Sequence, residues 1–155
     1  MAAYAADQDP VFSWEQIPID APMVFGAHAL TEAAIVAFAI EWDPQPWHLD
    51  TEAAAASVFG EIVACAAHLF AIVSKLMLDC PIRVALLAGL GNRDLRLVAP
   101  GRVGDVLSMR LTYTAARASS SRPGTGVVDM LVELIDQDER VVLRNEGSML
   151  VTGNA

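Results

Sequence analysis

The sequence is poor in basic residues. Its 155 residues include 10 Lys and Arg against 19 Asp and Glu, which gives a formal net charge of −9 at pH 7. A protein that binds nucleic acid needs a basic patch to meet the phosphates, so nucleic acid is not an expected partner. An anionic ligand would have to be held by a few local Arg or Lys side chains and by backbone N–H groups.

Cysteine is also scarce, and both cysteines, Cys65 and Cys80, lie in apolar stretches. The sequence has no Cys-x-x-Cys pair and no histidine cluster at the spacing of metal ligands, so neither a disulfide framework nor a zinc site is predicted. Buried, reduced thiols are the expected state of both side chains. We therefore expect no resident metal and no cofactor.

Long apolar runs are missing as well. The longest, Ile62 to Ser74, falls short of the roughly 20 residues that a helix needs to span a bilayer. Met1 to Pro10 lack the basic and then apolar pattern of a secretory signal. We expect a cytoplasmic protein that does not enter membranes, folded as one domain over residues 1–155 with residues 1–10 loosely ordered.

The first half of the chain has the spacing of helices. Thr31 is a candidate N-cap for an apolar helix that should end at Asp43, because Pro44 cannot continue it. Asp50 or Thr51 can cap a short turn that reaches Ala56. A first strand is predicted over 12–19. After a break at 59–60, a central helix is predicted that begins within 61–66, ends at Leu78 and is apolar on nearly every side.

The second half alternates with the period of strands. Three strands are predicted over 107–114, 128–134 and 140–151, the last two joined by a tight turn at 136–139, and at least one more strand over 84–98. One long apolar helix beside a sheet with a single core face predicts an α+β domain. Its antiparallel sheet would wrap around the long central helix, which is the hot-dog fold. Because such a sheet leaves an edge strand open, we expect a homodimer or a higher homo-oligomer.

The segment Asp43-Pro44-Gln45-Pro46-Trp47-His48 carries the candidate chemistry. Its two prolines predict a stiff segment that is not helical, and Asp and His are the side chains most easily used to move protons near neutral pH. An extended chain would separate the two by about 15 Å at ~3.1 Å per residue, so a paired site requires a turn near Trp47. Taken alone, the segment fits an Asp- and Pro-rich loop with an exposed histidine better than it fits a site.

Three segments resemble one family. Residues 43–48 resemble the Asp-x-Asn-Pro-x-His signature of the MaoC-like dehydratases, which include the R-specific enoyl-CoA hydratases. Residues 59–68 are similar to the family's Phe-Gly-Gly-x-Ile-Ala-(Ser/His)-Gly segment, and residues 95–105 to its Arg-Phe-x-x-Pro-Val-x-x-Gly-Asp segment. The segments occur in the family's order over roughly residues 25–152, and the ordered trio is more specific than any one of them.

The resemblance implies a hydro-lyase that adds water to a trans-2-enoyl-CoA, or removes it, with the coenzyme A thioester as substrate. It assigns the catalytic pair to Asp43 and His48, which would hold the water. It also implies that the backbone N–H of Ala66 stabilises the thioester oxygen. The role is physically reasonable because the first N–H groups of a helix lack partners within the helix.

The sequence departs from the family pattern at the implied substrate-binding positions. Gln45 replaces Asn, Cys65 replaces Ser or His, and Ala66 replaces Gly. Trp47 is a candidate lining residue of the acyl pocket, or a packing anchor. Of the other histidines, His68 is expected in the core with one hydrogen bond.

Two alternatives stay open. A hot-dog acyl-CoA thioesterase would use the same fold and helix end to attack the carbonyl. A non-catalytic acyl-CoA-binding protein would use the segment at 43–48 only to shape a loop. Release of free thiol would identify the first, and ligand binding without turnover the second.

Overall fold

The computed structural model describes residues 11–154, so the expectation for residues 1–10 lies outside the described residues. The helices are α1 (Glu32–Trp42), α2 (Pro46–Leu49), α3 (Thr51–Ala55) and α4 (Ala66–Leu76), the last extended by a 3-10 turn over Met77–Asp79. The strands are β1 (Val11–Phe12), β2 (Met23–Ala29), β3 (Arg83–Val84), β4 (Leu86–Asn92), β5 (Arg96–Leu97), β6 (Val106–Ala118), β7 (Thr125–Ile135) and β8 (Val141–Thr152).

The main sheet is antiparallel, in the order β2-β6-β7-β8-β4, and β5 also pairs with β8. Every second side chain of β6 from Leu107 to Tyr113 is buried, as the period-two pattern predicts. These residues share one core with the buried face of α4, which includes Leu69, Ile72 and Leu76. A sheet wrapped around a central helix confirms the α+β, hot-dog prediction.

The predicted caps and turns are confirmed. Thr31 accepts a hydrogen bond from the N–H of Ala34 at 3.2 Å and begins α1. Asp50 accepts one from the N–H of Ala53 at 2.8 Å and begins α3. Asp136 closes the turn between β7 and β8 by accepting the N–H groups of Asp138 and Arg140, both at 2.9 Å. Short-range hydrogen bonds fix these features, which is why the sequence shows them.

The predicted first strand is wrong. Within 12–19 only Phe12 lies in a strand, β1, which pairs in parallel with β3; the chain then turns, and Ile19 forms an isolated bridge with Tyr113. Trp14 is held there by a distant packing contact, because a Cβ on Gly126 would lie 2.2 Å from the Trp14 ring. The first strand of the main sheet is instead β2, whose glycine and alanines give little strand signal. His28 lies in β2.

The central helix, α4, is predicted to be apolar on nearly every side and therefore buried rather than amphipathic, and this prediction is also wrong. In this chain the helix buries one face, while Ala67, Ala71, Ser74 and Lys75 on the opposite side are exposed. The sheet contacts only one side, and small side chains on the other create an apolar appearance without burial. Among residues 11–154, no helix has the length and hydropathy needed to cross a membrane.

Two histidines and a lysine meet where β2 packs on α4. The Nδ1 of His28 lies 3.0 Å from the Nζ of Lys75. His68 is buried, stacks on Phe38 with ring centroids 4.5 Å apart, and has no hydrogen-bond partner for its Nδ1 among the described residues, contrary to the one bond expected. Burial first and the charge of Lys75 second lower the pKa of His28, and burial first and the charge of His28 second lower the pKa of His68.

We expect this pair of histidines to make the fold sensitive to acid. Because both pKa values lie lower in the folded chain than in the unfolded one, the unfolded state binds more protons as the pH falls. The stability is therefore complete above the unfolded value of about 6.5 and is lost as the pH falls through the depressed folded values. His68→Gln should flatten the decline in melting temperature between pH 7 and pH 5, and a decline as steep as that of the parent protein would contradict the assignment.

Candidate active site

Asp43 lies directly after α1. Its N–H donates to the carbonyl of Ala39 at 2.9 Å, which completes the last turn, and Pro44 prevents a further one. The side chain is 36% exposed and points toward His48. The end of the helix therefore sets the position of this carboxylate.

The chain returns toward Asp43 through a single helical turn. Pro46 occupies the first position of α2, where the missing N–H costs nothing, and the N–H of His48 donates to the carbonyl of Gln45 at 3.0 Å. The prediction that this segment cannot be helical is therefore wrong, whereas the turn that pairing requires is present at Trp47. As a result, the His48 Nε2 lies 3.7 Å from the Asp43 Oδ2.

His48 is buried and is hydrogen-bonded through both ring nitrogens. Its Nδ1 lies 2.6 Å from the carbonyl oxygen of Val63, which can only accept, so the Nδ1 carries the proton. Its Nε2 accepts a hydrogen bond from the indole N–H of Trp47 at 3.1 Å. The imidazole is therefore held as the neutral Nδ1–H tautomer.

The carbonyl that orients His48 is itself fixed by the segment at 99–104. Val63 forms an antiparallel bridge with Arg102, and the N–H of Ala64 donates to the carbonyl of Gly101 at 2.9 Å. A Cβ at Gly101 would lie 2.8 Å from the Cδ2 of Leu69, so only glycine lets this segment approach α4 so closely. Arg102 also donates to the carboxylate of Glu61.

The amino end of α4 faces the same space. Cys65 is the N-cap, with φ −71° and ψ 161°, and its buried side chain makes no capping hydrogen bond. Ala66 is the first helical residue, so its N–H has no partner within the helix. This end of the helix favours a negative charge.

A cavity of about 370 Å³ joins these groups. Asp43, Trp47, His48, Cys65 and Ala66 line it, so the structure brings together five of the six predicted site residues. Gln45 is exposed and does not line the cavity; its backbone caps α2. The other lining residues are mostly apolar: Phe59, Val63, Ala64, Leu69 and residues 97–100.

Sequence reasoning missed the Val63 carbonyl, a backbone group that no residue type signals. It also missed the apolar wall at 97–100, although these residues belong to the third segment of the family resemblance. Within residues 11–154, no three or more His, Cys, Asp or Glu side chains are arranged to hold a metal ion. The site can exchange protons at the Asp–His pair and bind an oxygen anion at the helix end.

The fold and the site define a hot-dog protein in which an aspartate and a histidine lie side by side in a cavity at the amino end of the central helix. Residues 15–134 match the family model described as MaoC like domain. The chain belongs to this family, which confirms the resemblance seen in the sequence.

The relatives extend the comparison. Protein MaoC of Klebsiella aerogenes is 35% identical over 100 residues, which are 64% of this chain and 30% of that protein, so the chain spans under a third of the length of this curated relative. The crystal structure of the MaoC-like dehydratase from Rhodospirillum rubrum is 33% identical, with a TM-score of 0.82, and the match covers 93% of this chain and 99% of the other. The unliganded R-hydratase of Pseudomonas aeruginosa has the same fold, with a TM-score of 0.71 and 22% identity over 92% of this chain and 86% of the other.

Proposed function

We propose that this protein is an acyl-CoA hydratase/dehydratase that adds water reversibly to a trans-2-enoyl-CoA. The observation that supports this most is the 3.7 Å separation of the Asp43 Oδ2 and the His48 Nε2 in a cavity that also contains the helix end at Ala66. Two acceptors at this distance can both receive hydrogen bonds of normal length from one water. The apolar wall of the cavity suits an acyl chain.

In the proposed mechanism, Asp43 and His48 hold the attacking water. His48 takes a proton from this water through its Nε2 as the water oxygen bonds to the β-carbon, and the electron pair of the double bond moves toward the thioester oxygen. The N–H of Ala66 stabilises that oxygen. The imidazolium, oriented by the Val63 carbonyl and stabilised by the Asp43 carboxylate, then returns the proton to the α-carbon, so no proton is gained or lost.

The departures from the family pattern affect this mechanism unequally. Gln45 contributes through its backbone, so its longer side chain leaves the pair in place. Cys65 presents a thiol, a weaker hydrogen-bond donor than Ser or His, to the thioester. Ala66 keeps its N–H. The reaction class thus depends on groups that the chain retains.

The proposal is tested by following the ultraviolet absorbance of crotonyl-CoA and of longer and branched enoyl-CoAs. Loss of the conjugated double bond without release of free thiol is the expected result. Release of free thiol from saturated acyl-CoA would identify the thioesterase alternative instead. Binding without turnover across the whole panel would identify the non-catalytic one.

We also propose that two copies of the chain pair through β4. This strand lies at the edge of the main sheet, and Leu86, Leu87 and Leu90 on it are all at least half exposed. An open apolar edge of this kind favours pairing with another strand. Leu90→Lys should shift the molar mass measured by light scattering from that of a dimer toward that of a monomer, while Val58→Lys, at an exposed site away from the edge, should not. A parent protein that is already monomeric would refute this pairing.

A further inference from the structure

The side chain of Trp47 occupies the nitrogen that the proposed mechanism needs. Its indole N–H donates to the His48 Nε2 at 3.1 Å, and the two rings meet edge to face with centroids 5.9 Å apart. The same Nε2 faces the Asp43 carboxylate. Water and Trp47 therefore compete for one site.

The competition is strict for a chemical reason. A neutral imidazole has one acceptor nitrogen, and the indole N–H can only donate. The Nδ1 of His48 is committed to the Val63 carbonyl, so the Nε2 is the acceptor. A water that donates to the Nε2 must displace the indole N–H.

Trp47 is placed where a bound acyl group would touch it. The side chain is half-buried, lines the cavity, and its further ring contact is with Phe59, at a centroid separation of 6.4 Å. Among the described residues, the indole N–H has no other hydrogen bond. Displacing it therefore breaks a single hydrogen bond.

We propose that Trp47 is a positioning residue whose indole N–H holds His48 neutral, with its acceptor nitrogen occupied, until an acyl group in the cavity moves the indole aside and water takes its place. The exchange for water depends on the proposed function. The hydrogen bond and its effect on His48 do not.

Few titratable groups face His48. Asp43 at the end of α1 and Cys65 at the start of α4 line the same cavity. The exposed carboxylates on the neighbouring elements lie outside the lining: Glu41 on α1, Glu52 on α3, and Asp50, which caps α3 by accepting the N–H of Ala53. Glu61 is paired with Arg102. Because the hydrogen bond from Trp47 stabilises only the neutral imidazole, its removal makes protonation of His48 easier.

The test uses the full chain labelled with nitrogen-15, in which His48 and the three indole N–H signals are followed by NMR as the pH is lowered. The Trp47 signal should move in parallel with the titration of His48, while Trp42, which is 65% exposed, serves as the internal reference. In Trp47→Phe the midpoint of the His48 titration should rise by about 0.5–1 pH unit, the equivalent of one ordinary hydrogen bond. Trp42→Phe should leave it unchanged.

The kinetic counterpart is the acidic limb of the pH profile of kcat/KM, which should move upward by the same amount in Trp47→Phe. An indole signal that ignores the titration of His48, or a midpoint that Trp47→Phe does not raise, would overturn the inference. If no enoyl-CoA is turned over, the proposed function fails, while the NMR titration still decides the role of Trp47.

Discussion

Asp43→Asn and His48→Gln will each lower the rate of enoyl-CoA hydration by at least about two orders of magnitude, the usual loss when a general acid or base is removed. Both replacements keep a polar side chain of similar volume. Asn matches Asp in size, and the Gln amide can still donate toward the Val63 carbonyl, which His48 contacts at 2.6 Å. The expected loss therefore comes from proton transfer and not from unfolding, and melting temperatures close to that of the parent protein would establish this.

The double variant Asp43→Asn/His48→Gln sharpens the test. Because the two groups are proposed to act on one water, the double variant should lose little more activity than the more damaging single variant. Additive losses would place the two residues in separate steps. Full hydration by both single variants would refute the assignment of the site.

Ala66→Pro will lower kcat by about 10²–10³-fold, the range found when one donor to a developing oxyanion is removed. The substitution deletes the N–H and leaves the helix intact, because proline is favoured at the first helical position. The residue before a proline must be extended, and Cys65, with φ −71° and ψ 161°, already is. The backbone at Cys65 and Ala66 therefore accepts a proline, and the N–H of Ala66 can be removed without disturbing the helix.

Ala66→Gly is the matched control for the helix end. It restores the residue of the family pattern and keeps the N–H, so kcat should stay within a few-fold of the parent protein. The measurement is kcat on the best substrate of the enoyl-CoA panel, with circular dichroism to verify the helix content. A fully active Ala66→Pro variant would remove the helix end from the mechanism while leaving the Asp–His pair untouched.

Local rules account for what could be predicted of the fold. The caps at Thr31 and Asp50, the end of α1 before Pro44, and the strands β6, β7 and β8 follow from hydrogen bonds or alternation within a few residues. The prediction of the first strand failed because a contact between residues far apart in the sequence decides the structure there. Trp14 packs on Gly126, more than 100 positions along the chain, and no pattern near Trp14 records that contact.

The candidate site was likewise predicted in part. Asp43 and His48 were visible as residue types, and their family resemblance supplied a role for each. The two prolines predict a segment without helix, yet Pro46 begins the helical turn that returns His48 to Asp43, because proline is excluded from the interior of a helix and not from its first position.

By itself, the sequence determined the class of the fold, the family and the residues that can move protons, since these depend on periodicity and on side-chain type. Only the tertiary structure decided the tautomer of His48 and the occupant of its second nitrogen. Both depend on atoms that have no sequence signature: the Val63 carbonyl, 15 residues from His48, and an indole N–H whose direction is set by packing. Side-chain type thus identifies the Asp43–His48 pair in the sequence, whereas tertiary contacts set the tautomer and the hydrogen-bond partners of His48.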